Sequence, residues 1–313
     1  MFLEKIKNSQ KLEQILLNFV DVLRINILIV DSQGSPVLVP KTNGYGFSGA
    51  CKWGILQYLG SSEFLSQFHQ EGSYLKSVDA FGFQNFAISL DFNSIGYLIV
   101  GPVILNKQLD QPKYKGIAEE LGVNFADFLG YLSEIRVVSF NSLKSTLNLL
   151  FELSQYALKI SNGQTQEKHI KPDHSIFTTL LDLAMALTQA ECGSIMLFDK
   201  ETQELTIQVQ RGLNPQKFQN VRVKLGEGIA GLAAQEKTSF VINEGRSSNR
   251  IKHLLKKPEL KCSVIIPIVK NSKEVIGVMN IATHHSNSRL ATHSQQILES
   301  LTKITSSTLS EDL

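Results

Sequence analysis

No apolar run in this sequence approaches the roughly 20 residues that a helix needs to cross a bilayer. The longest candidates, residues 25–30 and 96–105, are strand-sized. The opening MFLEKIKNSQ has no apolar stretch followed by a small-residue cleavage site, so neither a membrane receptor nor an exported protein is expected, and a cytoplasmic location is. Cysteine is scarce: Cys51, Cys192 and Cys262 form no CxxC pair and no zinc spacing, which leaves reduced thiols in place of a disulfide frame or a metal clip. Charge of neither sign dominates. Lys and Arg number 31 against 29 Asp and Glu, a net +2, and no long segment is basic enough to require nucleic acid as a partner.

What is present suffices for packed interiors. Hydrophobic residues are 42% and charged residues 19% of 313, which excludes a disordered chain and favours two domains of ordinary size. Leu12, Ile15, Leu16, Phe19 and Val20 recur at the spacing of one helix face, so residues 9–23 read as an amphipathic helix. A hairpin follows, with strands at 25–30 and 36–39 around the turn Asp31-Ser32-Gln33-Gly34. Short helical pieces are expected at 55–59 and 64–68, strands at 83–90 and 95–105, and helices at 112–121 and 124–135, the last capped by Asn124.

In residues 139–160, Leu143, Leu147, Leu150, Leu153, Ala157 and Ile160 make a narrow stripe. It fits either a coiled-coil-like seam or a helix packed on its own domain. Residues 161–172 are polar and read as a linker. The second half opens with a helix (Ile176, Phe177, Leu180, Leu181, Ala184, Leu187), continues with strands at 194–199, 204–210, 240–242, 262–269 and 275–282, and closes with a helix over 292–309. The expected domains are 1–138, a connecting helix and linker over 139–170, and 171–313.

Four segments in the second half resemble a GAF domain: Cys192-Gly193-Ser194-Ile195-Met196-Leu197-Phe198-Asp199, Gly226-Glu227-Gly228-Ile229-Ala230-Gly231, Cys262-Ser263-Val264-Ile265-Ile266-Pro267-Ile268, and Val275-Ile276-Gly277-Val278-Met279-Asn280-Ile281. The glycines alone would also suit a dinucleotide turn, but no strand and βαβ unit stand in the required place. The first half resembles the PocR-type, PAS-like sensory domain, through its first helix, the strand at 25–31 with the Gly34 turn, and the hairpin within 85–105. It departs from that family at 79–85, where Asp79-Ala80-Phe81-Gly82-Phe83-Gln84-Asn85 holds neither Cys nor His. These resemblances imply an α+β chain of two PAS/GAF-like domains, each an antiparallel sheet flanked by helices, joined by a signalling-type helix.

No catalytic or metal-ligating constellation stands out. The seven histidines are scattered, and His284 and His285, being adjacent, would face opposite ways on a strand. The GAF-fold free methionine sulfoxide reductases use a cysteine in the glycine turn, and none occurs here; a non-enzyme is expected, with no cofactor identified. A third reading, a redox enzyme using Cys192 or Cys262, would require an exposed thiolate. Candidate ligand-binding residues are Phe81, Phe83, Phe86, Tyr97 and Trp53 in the first half, where aromatic crowding equally describes a core. In the second they are Phe240, Met279 and the basic excursion 243–261, with Arg246, Arg250 and His253. That excursion is either a solvated basic helix or a lid offering Arg246 or Arg250 to an anionic ligand. Nothing resembling an output segment follows residue 309. The expected function is therefore a small-molecule-sensing regulatory protein, a homodimer, relaying an unidentified ligand's state through helices to a protein partner. The alternative is a non-catalytic scaffold whose pockets have filled with side chains.

Overall fold

The computed structural model describes the chain except residues 1, 41–57, 62, 72, 80, 91–94, 162–173, 215, 217–220, 244–261, 272, 284–287 and 310–313. It divides into two compact units, Met1–Thr165 and Gln166–Leu313.

In the first unit, α1 (Phe2–Lys7) and α2 (Gln10–Leu23) precede the hairpin β1 (Ile27–Asp31) and β2 (Pro36–Leu38). Helix α2 starts where the Ser9 hydroxyl accepts the Leu12 N–H at 3.2 Å, and its apolar face from Leu12 to Leu23 is buried. Next come α3 (Glu63–Ser66), β3 (His69–Glu71), β4 (Tyr74–Val78), β5 (Gln84–Ser89) and β6 (Gly96–Leu105). The paired helices α4 (Gln111–Glu120) and α5 (Phe125–Glu134), the short β7 (Arg136–Val138) and the long α6 (Phe140–Ser161) complete the unit. The sheet runs β2-β1-β6-β5-β4-β3 and is antiparallel, except that β7 lies parallel to β6 because α4 and α5 return the chain to its starting end.

Pairing register divides the side chains between the two faces of this sheet. Ala87 opposite Ile99 and Leu28 opposite Ile99 point into a cluster closed by Tyr114 of α4 and Phe128 of α5. The other face meets α2 and α6. Helix α6 packs on α2, α1 and β6, and Leu143, Leu147, Leu150, Leu153 and Ala157 are each 2% exposed or less. The leucine stripe is thus covered within its own unit, the second of its two readings.

The second unit opens with α7 (His174–Thr188), β8 (Cys192–Asp199), β9 (Glu204–Arg211) and β10 (Arg222–Lys224). Then follow α8 (Gly228–Glu236), β11 (Phe240–Asn243), β12 (Cys262–Lys270), β13 (Glu274–Thr283) and α9 (Ser288–Thr308). All pairs in its sheet, ordered β10-β9-β8-β13-β12-β11, are antiparallel. Helices α7 and α9 pack together on one face, and α8 lies on the other. Arg211 of β9 forks onto Asp182 of α7, with Nε to Oδ1 at 2.8 Å and Nη2 to Oδ2 at 3.3 Å, marking the face that α7 covers.

Because the α6 leucines are covered from within the unit, Leu150→Ala should cost about 2–5 kcal/mol of first-unit stability. Urea unfolding across a protein concentration series checks this: the loss should be the same at every concentration, whereas a loss that shrinks on dilution would mean that a second chain covers the stripe.

Candidate functional site

The first-unit candidates separate according to the pleat. Phe81 and Phe83 enter the cluster beneath α4 and α5, where Phe81 stacks on Phe128 at 4.7 Å and Phe83 lies 6.1 Å from Phe128 and edge-on to Tyr131 at 5.8 Å. Tyr97 packs, half-buried, against the same cluster. Phe86 faces the other way: it is paired with Val100 and meets Tyr74 edge-on at 5.5 Å. Trp53 lies outside the described residues.

Asp79 holds this aromatic loop in place. Its Oδ1 accepts the N–H groups of Phe81 and Phe83, both at 3.0 Å, while Oδ2 is buried with no partner among the described residues. Burial pushes its carboxyl up to about 6, against the two N–H donors, which pull it down. Close by, Asn85 is fully buried with both amide atoms unpartnered among the described residues, tucked under Gly101, where a Cβ would lie 2.8 Å from the Asn85 Oδ1.

In the second unit the sequence candidates also divide. Phe240 packs on the α8 face beside Ile242, Ile265, Met196 and Val278. Met279, adjacent to Val278, points to the opposite face and is fully buried on the side that α7 and α9 cover. Phe240 and Met279 therefore cannot line one site. Arg246, Arg250 and His253 lie outside the described residues. Of the thiols, Cys192 is buried and donates to the Ala282 carbonyl at 3.6 Å; Cys262 is buried and pushed up to about 11 by desolvation. Neither has the character of a reactive thiolate. No group of three or more His, Cys, Asp or Glu suited to a metal occurs among the described residues.

The glycine turn shapes the α8 side of this sheet. The Gly226 N–H donates to the Gly231 carbonyl at 2.8 Å, and the Lys224 N–H donates to the Glu227 carboxylate at 3.0 Å. A Cβ on Gly231 would collide with the Lys224 carbonyl oxygen, so only glycine lets α8 start this close to β10.

One level of the sheet stands out on the α8 face. Gln210 of β9 lies opposite Ser194 of β8, Ser194 opposite Asn280 of β13, Asn280 opposite Ile265 of β12, and Ile265 opposite Phe240 of β11. Neighbouring Cβ atoms in such a row are about 5 Å apart. The level has a polar half and an apolar half. Ser194 is 5% exposed; Ser263, 4% exposed, donates its hydroxyl to Asn280 Oδ1 at 2.7 Å. Gln210 Oε1 is buried with no donor among the described residues. An acceptor left so costs about 1–3 kcal/mol unless something supplies a proton.

Sequence reasoning missed this row. Ser194, Ser263 and Asn280 stood inside the GAF-like segments, and the signal was three polar residues at inward positions of apolar strands. Gln210 had no readable signal. A bulge at Gln208 (Met196 opposite Ile207, Ile195 opposite Val209) reverses the phase of β9 and turns Gln210 to the same face as Ile207.

The profile of the GAF domain family matches residues 172–310, and that of the sensory domain found in PocR matches residues 84–162. Three solved structures are among those similar to the chain. The GAF domain of an Acinetobacter phosphoenolpyruvate-protein phosphotransferase is 17% identical, covering 53% of this chain and 91% of that one at a TM-score of 0.40. The GAF domain of the corresponding Coxiella burnetii protein is 20% identical over 52% of this chain and 93% of that one, at 0.38. The fRMsr of Staphylococcus aureus, in complex with substrate, is 20% identical over 53% and 95%, at 0.36. No curated protein matches the chain.

Two substitutions test this geometry. Asp79 binds its proton more tightly folded than unfolded, so its contribution to stability is complete below about pH 4. That contribution is lost as pH rises through about 6. Asp79→Asn should remove up to about 3 kcal/mol of the stability lost over that interval, read from urea unfolding at each pH; an unaltered pH profile would show that the carboxyl is hydrated. Gly231→Ala should lower second-unit stability by about 1–3 kcal/mol or more in the same assay, and wild-type stability would mean that α8 has room to shift.

Proposed function

We propose that this chain is a small-molecule-sensing regulatory protein with no chemistry of its own, located in the cytoplasm, that passes its ligand state to a protein partner as a homodimer. The observation that carries this reading is the half-polar level Gln210–Ser194–Asn280–Ile265–Phe240, which lies within the GAF match and contains a buried acceptor that no described residue satisfies. The PocR-type match in the first unit adds a second sensory family to the same chain. No helix among the described residues is long and apolar enough to cross a membrane.

The relay follows from where the row sits. Ser194 is two residues into β8, which begins soon after α7 ends at Thr188, and Asn280 is three residues from the end of β13, after which the chain leads to α9. These two helices pack on each other across the opposite face. A ligand that prefers one spacing of the β8 and β13 ends biases the α7–α9 pair by exactly its difference in affinity for the two arrangements.

A second reading, the scaffold, draws on the first unit. There Phe81, Phe83 and Phe128 stack at ring distances of 4.7–6.1 Å and are almost fully buried, so that the aromatic face is filled by its own side chains.

Native mass spectrometry of the purified protein, with a denatured control, separates the two. The sensor requires a dimer carrying excess mass that disappears on denaturation. A monomer at tens of micromolar would overturn the dimer, and a species without excess mass would favour the scaffold.

A further inference from the structure

The polar half of the level on the α8 face carries no charge. It presents three groups in sequence across adjacent strands: the Gln210 carboxamide, the Ser194 hydroxyl and the Asn280 carboxamide. Their hydrogen-bonding roles are already biased. Gln210 Oε1 is an acceptor without a donor among the described residues. Asn280 Oδ1 is taken by the Ser263 hydroxyl, which leaves the Asn280 NH2 group to donate. The far half of the level, Ile265 and Phe240, is apolar and continuous with Ile242 and Val278.

An anion is the wrong occupant for such a surface. A carboxylate or phosphate over this row would place its charge against the Gln210 lone pairs, with Asn280 and Ser194 as donors and no cation among the described residues of the level. An amide matches it group for group. Its N–H can donate to Gln210 Oε1, its carbonyl can accept from Asn280 Nδ2 or Ser194 Oγ, and an apolar body attached to it would meet the half-buried Phe240 at the far end of the level, beside the buried Ile265. We propose that the Gln210–Ser194–Asn280 row is the recognition floor for an uncharged ligand that carries a carboxamide or lactam group on an apolar body. This rests on the sensory reading of the second unit; Arg246 and Arg250, which suggested an anionic ligand from sequence, lie outside the described residues.

Discrimination should be sharp, because a site built from buried hydrogen-bonding groups rejects a ligand that leaves them unpaired. The same logic marks Gln210 as kept for binding. A buried acceptor unsatisfied in the free protein burdens the fold, so its removal should raise stability while it abolishes recognition.

The test uses the full chain, labelled with 15N in Asn and Gln side chains, with the row's signals assigned from Gln210→Leu and Asn280→Leu. The probes are two amides, benzamide and 2-pyrrolidinone, and two carboxylates, benzoate and butyrate. The proposal requires saturable shifts of the Gln210 and Asn280 NH2 signals with the amides at concentrations at least tenfold below those needed for the carboxylates. It also requires loss of the Asn280 shift in Gln210→Leu and a melting temperature for that variant, without any probe, equal to or above that of the unaltered protein. Carboxylates acting as well as amides, or amides moving neither signal, would overturn it. So would a lowered melting temperature, since Gln210 would then be serving the fold. A ligand found by native mass spectrometry and retained by Gln210→Leu would overturn the row while leaving the sensory reading standing.

Discussion

Strand β13 is hydrogen-bonded on both sides, to β8 and to β12, and the second unit depends on that double register. Side chains alternate between faces along a strand, so pairing Asn280 with Ser194 and Ile265 decides at one stroke what each face presents. Gly277, Met279 and Ile281 go to the helices α7 and α9. Val275, Val278 and Asn280 go to the α8 side, the bulge at Ile276 keeping Val275 on that face. A slip of one residue would bury the Asn280 carboxamide under two helices and turn the Met279 thioether toward Gln210. The apolar positions on the helix side hold the register, and the polar row on the other side follows from it.

The two units cover their sheets by different means. In the first, α4 and α5 supply large rings, Tyr114, Phe128 and Tyr131, that meet Phe83, in the loop just before β5, at centroid distances of 5.8–6.4 Å. In the second, α8 supplies Gly231, Ala233 and Ala234. Small residues let a helix approach closely, and Ile229 and Leu232 of the same helix pack at the edge of the cluster that Met196, Val278 and Ile265 form. Both units keep buried polar atoms without a partner among the described residues, Asp79 Oδ2 and the Asn85 amide in the first and Gln210 Oε1 in the second.

On the proposed reading, Gln210 Oε1, which no described residue satisfies, and the Asn280 NH2 group, left to donate because Ser263 takes Oδ1, are the groups a ligand would complement. The buried, hydrogen-bonded Cys192 and the buried thiol of Cys262, which desolvation keeps protonated, offer no comparable case for redox chemistry.

Much of the fold was legible because its signals are local. Asn124 caps its helix as its position suggests, the stripes of α2, α6 and α7 are buried, and the glycine turn leads into α8. The three-residue strands β3, β7 and β10 were not legible, since so short a segment takes its structure from the strand it joins. Three further matters belong to tertiary structure alone. The leucines of α6 would serve a seam between chains or a cover for their own sheet equally well, and only the placement of α2 chose the second. Phe86 and Met279 looked like neighbours of Phe83 and Phe240, until pairing put them on opposite faces. Gln210 would read from Leu205, Ile207 and Val209 as facing away, and the bulge at Gln208 turned it inward. Periodicity along one strand gives a face only relative to its own residues; the partner strand's hydrogen bonds determine which face is which.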